Sequence, residues 1–398
     1  MKKIMLYCQH LAGMGHLVRS TEIMRSLVKH FKVCFVNGGQ PVPEFQLPPE
    51  VEVVSLPSLW QDGDEIKPVD DACSLQETQA QRQQQLHAAF DGFQPDCLIT
   101  ECFPFSKLRL KPELTPLLQQ AKASTRPVQI ICSLRDLIMT QPMTPNDRIH
   151  RAEKICRLVN RYYDTVLFHS DASFQTLEDC FPLVNQLECD IFYTGYVAQS
   201  PPEERSLTIE DVAGLSDKSP TIVASVGGGR HGYILLNAIL KTAPQLAQIL
   251  PHHIYAFAGP YMPATDFARL QQAAANQPNV TLRRFTSRLL EYLEKADLSI
   301  SLGGYNTTMN LLRTGVRAIV LPSPSKNQNN EQQIRATKLA ELGVINLLTP
   351  EDLPRDRLTP IITTHITQTP GTHPINLQGA DNTAQHLQQV LAKSVVVG

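Results

Sequence analysis

The sequence predicts an α/β protein built from two doubly wound, Rossmann-like domains, and three observations carry that prediction. Short β-rich apolar runs alternate with longer helical patterns. The alternation runs through the first half of the chain and starts afresh in the second. Each half opens in the same way, with a strand, a glycine-rich turn and a helix: IMLYCQH then LAGMGH in the first, TIVASV then GGGRHG in the second. Buried strands joined by helices pair in parallel through right-handed crossovers. A chain of 398 residues is long enough for about two to three domains.

Taken in order, strands are predicted in the first half over residues 4–10, 32–36, 51–56, 97–103, 128–134, 165–169 and 191–194. Helices are predicted over 15–30, 74–90 and 148–162. The glutamine-rich stretch 75–86 keeps helix-forming residues and reads as a solvated helix. In the second half, strands fit 221–226, 253–258, 280–285, 298–302, 318–322 and 344–348. Helices fit 233–250, 266–276, 288–295, 307–314, 331–342 and 382–393. The segment 199–219, with SPPEERS near its start and charge throughout, reads as a linker. The domains expected are thus 1–198, the linker 199–219, a second domain 220–375 and a terminal helix within 376–398. Ligands of such sheets lie at the carboxyl ends of the strands. Two tandem sheets imply a cleft where those ends face each other.

Composition excludes several classes. A hydrophobic fraction of 42% with a net charge of −2 fits a globular chain, not a disordered one. Without a basic field no nucleic-acid partner is expected, and any anionic ligand must be held by local geometry. The nine cysteines are scattered singly with no CxxC pair, the pattern of reduced thiols in a cytoplasmic protein. The apolar run at the start, 4–8, is too short for a signal peptide, and no stretch reaches the roughly 18 apolar residues of a membrane span.

The glycine turns are the first functional candidates. Gly227, Gly229 and Gly232 match GxGxxG between a strand and a helix. A dinucleotide site also wants an acid at the end of the next strand. That strand ends in AFAGP, so NAD is not favoured. The turn fits either phosphate binding or plain helix–strand packing. A third turn, LGGYNTT, brings Gly303, Gly304, Asn306, Thr307 and Thr308 to the start of a helix. Its free amides, the helix dipole and the threonine hydroxyls suit an anion. Two such turns in one domain suit a diphosphate, with no metal or other cofactor required. Glu331-Gln332, opening a later helix, offers an acceptor and an amide to sugar hydroxyls, or simply a solvated helix start.

At these residues the chain resembles the MurG-like, family 28-type glycosyltransferases of the GT-B fold. The resemblance runs over about residues 3–345 and is strongest in ADLSISLGGYNTTMNLLRTGVRAIVLPSPSKNQNNEQQIRATKLAELG. The pattern there includes Gly303-Gly304, Thr307, Gly315, Pro322, Glu331-Gln332 and Arg335-Ala336. Gly13 to His16 and the turn 227–229 match the family's other glycine loops, and Tyr193-Thr194-Gly195-Tyr196 its passage between domains. The resemblance implies a nucleotide-sugar donor, usually a UDP-sugar, in the second domain. Gly227, Gly228, Gly229, Gly303 and Gly304 would hold the diphosphate, Phe285 and Thr286 would lie along the base, and Glu331 and Gln332 would face the sugar. Where many members carry a Glu for the ribose, this chain has Asn310. The first domain would hold the acceptor, and transfer would proceed with inversion and no protein-bound metal. Segments TECFPF and CSLRD look like those of a poorly characterised subgroup of predicted glycosyltransferases.

Inverting transfer needs a base for the acceptor hydroxyl. His16 fits by type and by its place after the Gly13/Gly15 turn. Glu101 and Asp136 each follow a β-run and are the other catalytic candidates, with Arg135 a possible ion-pair partner. Arg230 and His231 could meet the diphosphate or stay solvated. Asp62-Gly63-Asp64 spells DxD but sits in a polar loop, where DGD is ordinary turn chemistry. A nucleotide-sugar hydrolase or epimerase, and a binding protein without catalysis, are the rival readings. The acceptor is open, and peripheral membrane contact through a few exposed apolar residues is compatible with the sequence.

Overall fold

The computed structural model describes residues 1–11, 13–42, 45–62, 65–201, 219–323 and 330–393. Most of the expected linker, 202–218, lies outside them. So do Gly63 and Asp64 of the DGD motif and residues 324–329 ahead of Glu331. The chain forms two compact units. The first holds Met1–Val42, Gln46–Ala198 and Ile375–Gly398, and the second holds Pro43–Phe45 and Gln199–Pro374.

In the first unit, seven parallel strands form one sheet in the order β3-β2-β1-β6-β7-β8-β9. They are β1 (Lys3–Cys8), β2 (Lys32–Asn37), β3 (Glu52–Ser55), β6 (Cys97–Glu101), β7 (Gln129–Arg135), β8 (Thr165–His169) and β9 (Asp190–Tyr193). The central strands are buried on both faces, which is why they read as unbroken apolar runs. A separate antiparallel hairpin joins β4 (Leu59–Asp62) to β5 (Glu65–Pro68). It corrects the expected polar loop after Trp60, because Asp62 ends a strand. Trp60 fastens the hairpin by donating Nε1–H to the Pro68 carbonyl at 3.1 Å.

The helices of this unit follow from caps and stripes. α1 (Gly15–Leu27) follows β1 directly. α2 (Leu75–Phe93) starts at a capping box of Ser74 and Glu77. It buries Thr78, Arg82, Leu86 and Phe90, spaced by four, so one stripe of this glutamine-rich helix faces inward. α3 (Lys111–Lys122) was hidden in the sequence by Pro112 and Pro116, although proline fits a helix's first turn. It buries Leu114, Leu117, Leu118 and Ala121. α4 (Pro145–Tyr162) starts at Thr144, which caps the Asp147 amide.

The second unit is a six-stranded parallel sheet ordered β12-β11-β10-β13-β14-β15. Its strands are β10 (Thr221–Ser225), β11 (His253–Phe257), β12 (Val280–Arg283), β13 (Leu298–Leu302), β14 (Ala318–Leu321) and β15 (Asn346–Leu347). Helices α5 (Tyr233–Ile249), α6 (Ala264–Ala274), α7 (Leu289–Glu294), α8 (Tyr305–Thr314), α9 (Glu331–Glu341) and α10 (Arg355–His365) surround it. Leu236, Ile239, Leu240 and Leu246 of α5 join Ile222, Ile254 and Ile300 of the sheet in one buried cluster.

After the second unit the chain returns to the first through α11 (Gly379–Lys393). Ser26 donates to Asp381 at 2.6 Å, Asn382 donates to the Thr194 carbonyl at 2.8 Å, and the His386 and Phe192 rings stack 3.9 Å apart. Each sheet reverses its winding once. The reversal falls between β1 and β6 in the first unit and between β10 and β13 in the second. Those strand ends are the switch points where open α/β sheets bind ligands.

Candidate functional site

At the first switch point, β1 delivers the Gly13–His16 turn and β6 ends at Glu101. His16 is the second residue of α1, a helix with no side-chain cap and no acid in its first turn. Its Nδ1 lies 2.6 Å from Oε1 of Glu101. Arg19, one turn along α1, donates to the same carboxylate, as does Lys107. The Cys102 thiol donates to Oε1 at 3.1 Å. Three of these donors, from His16, Arg19 and Cys102, converge on Oε1, and Lys107 takes Oε2.

The charges sort the roles. Burial alone would raise the Glu101 carboxyl, but His16, Lys107 and Arg19 hold it well below the ordinary range. Burial pulls the His16 imidazole down to about 3, Glu101 opposes this, and Lys107 and Arg135 add to it. The ring is therefore neutral near pH 7. Since Glu101 can only accept, the proton sits on Nδ1, and the Nε2 lone pair meets no donor among the described residues. The His16 side chain keeps 24% of its exposure, whereas Glu101 keeps 1%.

The turn that carries this cluster is held in an unusual shape. Cys102 and Lys107 both adopt positive φ, at 62° and 57°, without being glycine. Such conformations cost about 1–3 kcal/mol each and persist only where the surroundings enforce them. Fully buried Phe103 and Phe105, and the Cys102 amide bonded to the Ser133 carbonyl at 2.8 Å, supply that enforcement.

Asp136, the other predicted acid, is fully buried just beyond β7, with its carbonyl 3.9 Å from the Cys180 thiol. Beside it is a group that the sequence did not reveal. His169 at the end of β8 has Nε2 2.7 Å from Ser133 Oγ and Nδ1 2.9 Å from Thr194 Oγ1. Thr194 gives its own proton to the Gly195 carbonyl at 2.6 Å. Nδ1 of His169 must therefore donate, and Ser133 donates to Nε2. Arg19 and Lys107 also escaped the sequence reading. Arg19 is legible only as a helix neighbour of His16, and Lys107 only once the turn's left-handed residues are known.

His16, Glu101 and Cys102 place three ligand-type atoms within 4.8 Å of one another. The donor set does not suit a divalent ion. Glu101 already faces two cations, and burial raises the Cys102 thiol, keeping its proton.

These histidines make stability depend on pH. Burial lowers His10 to about 4, and His16 and His169 each to about 3. Unfolded, each takes its proton near pH 6.5. Between those values the unfolded chain binds more protons, so stability is lost as pH falls from about 6.5. The expected slope is about 1.4 kcal/mol per pH unit for each histidine in this window. Urea titrations at pH 7 and pH 5 check it, and equal midpoints would refute it.

In the second unit, the switch point brings both remaining glycine turns together. Gly229 has φ 88° and Gly259 φ 83°. A Cβ at Gly229 would strike the Ala258 carbonyl, and one at Gly259 would strike the Gly227–Gly229 backbone. The two loops interlock through bare backbone. Thr307 Oγ1 lies 3.8 Å from the Cβ position of Gly227 and 4.0 Å from that of Gly304. The Thr307 hydroxyl thus lies close to both turns.

Around it, backbone donors are uncommitted. Helix α8 has Gly304 as N-cap, with no side-chain cap and no acid in its first turn. Among the described residues, the amides of Gly228, Gly304 and Thr307 and the Thr307 hydroxyl meet no protein acceptor. The Gly303 amide is used by the Leu321 carbonyl at 3.0 Å, and the Thr308 hydroxyl donates to the Gly304 carbonyl at 2.9 Å. Thr308 therefore offers no free proton, contrary to the expectation of two threonine donors.

One turn along α8, Asn310 is 1% exposed. Its Nδ2 donates to Gln199 at 2.7 Å, while Oδ1 is buried with no partner among the described residues. Gln332 accepts the Ser323 amide at 2.9 Å and lies beside Gly303, so its carbonyl end is fixed. Glu331 is half-buried in the first turn of α9. Phe285 and Thr286 are half-buried after β12, and Thr286 accepts the Arg288 amide at 3.1 Å. Arg230 and His231 are exposed. Asn306 follows Tyr305 at the start of α8.

Parts of the chain are similar to known proteins. Residues 222–373 match the family described as Glycosyltransferase family 28 C-terminal domain. The UDP-N-acetylglucosamine--N-acetylmuramyl-(pentapeptide) pyrophosphoryl-undecaprenol N-acetylglucosamine transferase of Lactococcus lactis subsp. lactis is 25% identical over 208 residues. That match takes in 52% of this chain and 54% of the relative, so the chain spans about half the length of the curated relatives it matches. Acinetobacter baumannii MurG superposes with a TM-score of 0.52 at 15% identity over 99% of both chains. TcCGT1, solved in complex with UDP, gives 0.60 at 13% identity over 99% of both. No described helix is long and apolar enough to cross a membrane. The chain thus has the GT-B fold that it shares with Acinetobacter baumannii MurG, and residues 222–373 of its second unit match the glycosyltransferase family 28 C-terminal domain.

Proposed function

We propose that this protein is a glycosyltransferase that moves a sugar from a UDP-sugar to a hydroxyl acceptor, with inversion and without a protein-bound metal. The observation that carries the reading is the Thr307 hydroxyl lying close to two glycine turns, with amides around it that meet no acceptor among the described residues. Oriented amides at a helix start neutralise a diphosphate without a cation. The same donors stabilise the charge that grows on the leaving group. The uridine named for the Lactococcus lactis relative and for TcCGT1 favours a uridine donor here.

In this reading Asn310 Oδ1 accepts a ribose hydroxyl, Phe285 and Thr286 border the base, and Glu331 and Gln332 meet the sugar. Arg230 and Asn306 flank the phosphates. The first unit binds the acceptor, with the Gly13–Gly15 turn and Asp136 on that side. His16 Nε2 takes the acceptor hydroxyl proton as that oxygen attacks the anomeric carbon. The bond from that carbon to the diphosphate breaks, and the nucleotide leaves with the electron pair. Glu101 steadies the imidazolium that results. Glu101 orients the ring and is not itself the base, because its oxygens are already engaged by His16, Arg19, Cys102 and Lys107 and its side chain is shut off from solvent.

A mass-spectrometric screen of UDP-, GDP- and dTDP-sugars against a cell extract tests the proposal. A sugar-mass increment on an extract component, with nucleoside diphosphate released, is expected for a UDP-sugar. Free sugar released at the same rate without any acceptor would refute transfer in favour of hydrolysis.

A further inference from the structure

Arg82 is the most buried charge in the first unit that the mechanism leaves unused, and its contacts lead to the base. It lies on the inward stripe of α2 and is fully buried. Glu113 of α3 pairs with it through two bonds of 2.8 Å. The remaining donors go to the ends of strands. Arg82 Nη1 meets the Gly38 carbonyl at 3.0 Å and the Pro57 carbonyl at 2.7 Å, just past β2 and β3. Its Nη2 meets Tyr7 Oη at 3.1 Å and Gln9 Oε1 at 2.7 Å. A buried ion pair is weak evidence for stability, because its desolvation cost offsets its attraction. What Arg82 supplies is direction, since it fixes the chain where it leaves three neighbouring strands.

Gln9 receives that fixing and passes it on. It is fully buried just after β1. Its Nε2 donates to the His10 carbonyl at 3.1 Å and to the Leu59 carbonyl at 3.2 Å. Its own backbone carbonyl accepts Lys107 Nζ at 2.6 Å. The same ammonium grips Glu101, which holds His16.

Resting on the transferase reading, we propose that Gln9, clamped by Arg82, is a positioning residue that sets Lys107 against Glu101 and so holds the His16 ring for catalysis. The groups that bear on His16 are Glu101 at the end of β6, Lys107 from the turn that follows, and Arg135 from β7, with Arg19 and Cys102 acting through Glu101. Lys107 and Arg135 disfavour a charged ring, and Glu101 favours one. Loosening Lys107 leaves His16 more fully under Glu101, so the ring should take a proton more readily.

Gln9→Met tests this in the full chain, because it leaves Arg82 its bonds to Glu113, Tyr7, Gly38 and Pro57. Two readouts are taken. NMR of isotope-labelled histidine should show the His16 titration rising from about 3 toward the ordinary range. Turnover should fall about ten- to a hundred-fold in kcat, with KM within about three-fold. Lys107→Met should move the His16 titration the same way, and adding Gln9→Met to it should cause little further change. Gln9→Asn, which keeps both polar groups on a shorter arm, gives the same shifts in smaller degree if the methionine variant does not fold. An unmoved His16 titration in the folded Gln9 variants overturns the proposal, whatever happens to kcat. If the wild type turns over no donor, the transferase reading fails, and the NMR titration still decides whether Gln9 positions His16.

Discussion

His16→Ala is expected to lower kcat by about two to four orders of magnitude, the usual worth of a positioned general base. Nucleotide affinity should hardly change, because the amides around Thr307 belong to the other unit. The fold should survive, since Glu101 keeps Arg19 and Lys107 when the imidazole is gone. The variant therefore separates catalysis from binding and from folding. Wild-type and variant rates at saturating donor check it, alongside thermal melts. A kcat within about three-fold of wild type would remove His16 from the chemistry and leave only its contact with Glu101.

Gly304→Val should do the reverse. Gly304 has φ −62° and ψ 150°, which any residue adopts. Among the described residues, the only atom within 4 Å of its Cβ position is Thr307 Oγ1, at 4.0 Å. The side chain would thus fit the folded protein and lie over the first turn of α8, where the free amides are. Nucleoside diphosphate affinity is expected to fall by at least about a hundred-fold, near 2.7 kcal/mol, with the melting temperature nearly unchanged. Gly229→Ala would not serve, because its Cβ meets the Ala258 carbonyl and the fold itself would suffer. Unaltered affinity in Gly304→Val would place the diphosphate elsewhere.

Much of the architecture was legible because fully buried parallel strands announce themselves as apolar runs, as β1, β6 and β13 do. The hairpin β4–β5 was not, since its polar residues Gln61, Asp62 and Lys67 carry no alternating signal. Helices α3 and α10 were masked by Pro116 and Pro360. The glycine turns and His16 could be found from local spelling. The partners of Glu101 could not. Lys107 reaches it only through a turn with two left-handed residues, and periodicity does not encode such turns. Arg82 was hidden for a related reason: one charged residue in a glutamine-rich helix looks solvated until its stripe is seen to face inward.

The central claim is that backbone amides around Thr307, without a metal, hold a diphosphate. Calorimetric titration of the folded wild-type chain with UDP, with and without EDTA, tests it most directly. One site per chain is expected, with a dissociation constant of about 1–100 μM that the chelator does not change. No binding of UDP, or binding abolished by EDTA and restored by a divalent ion, would contradict the account.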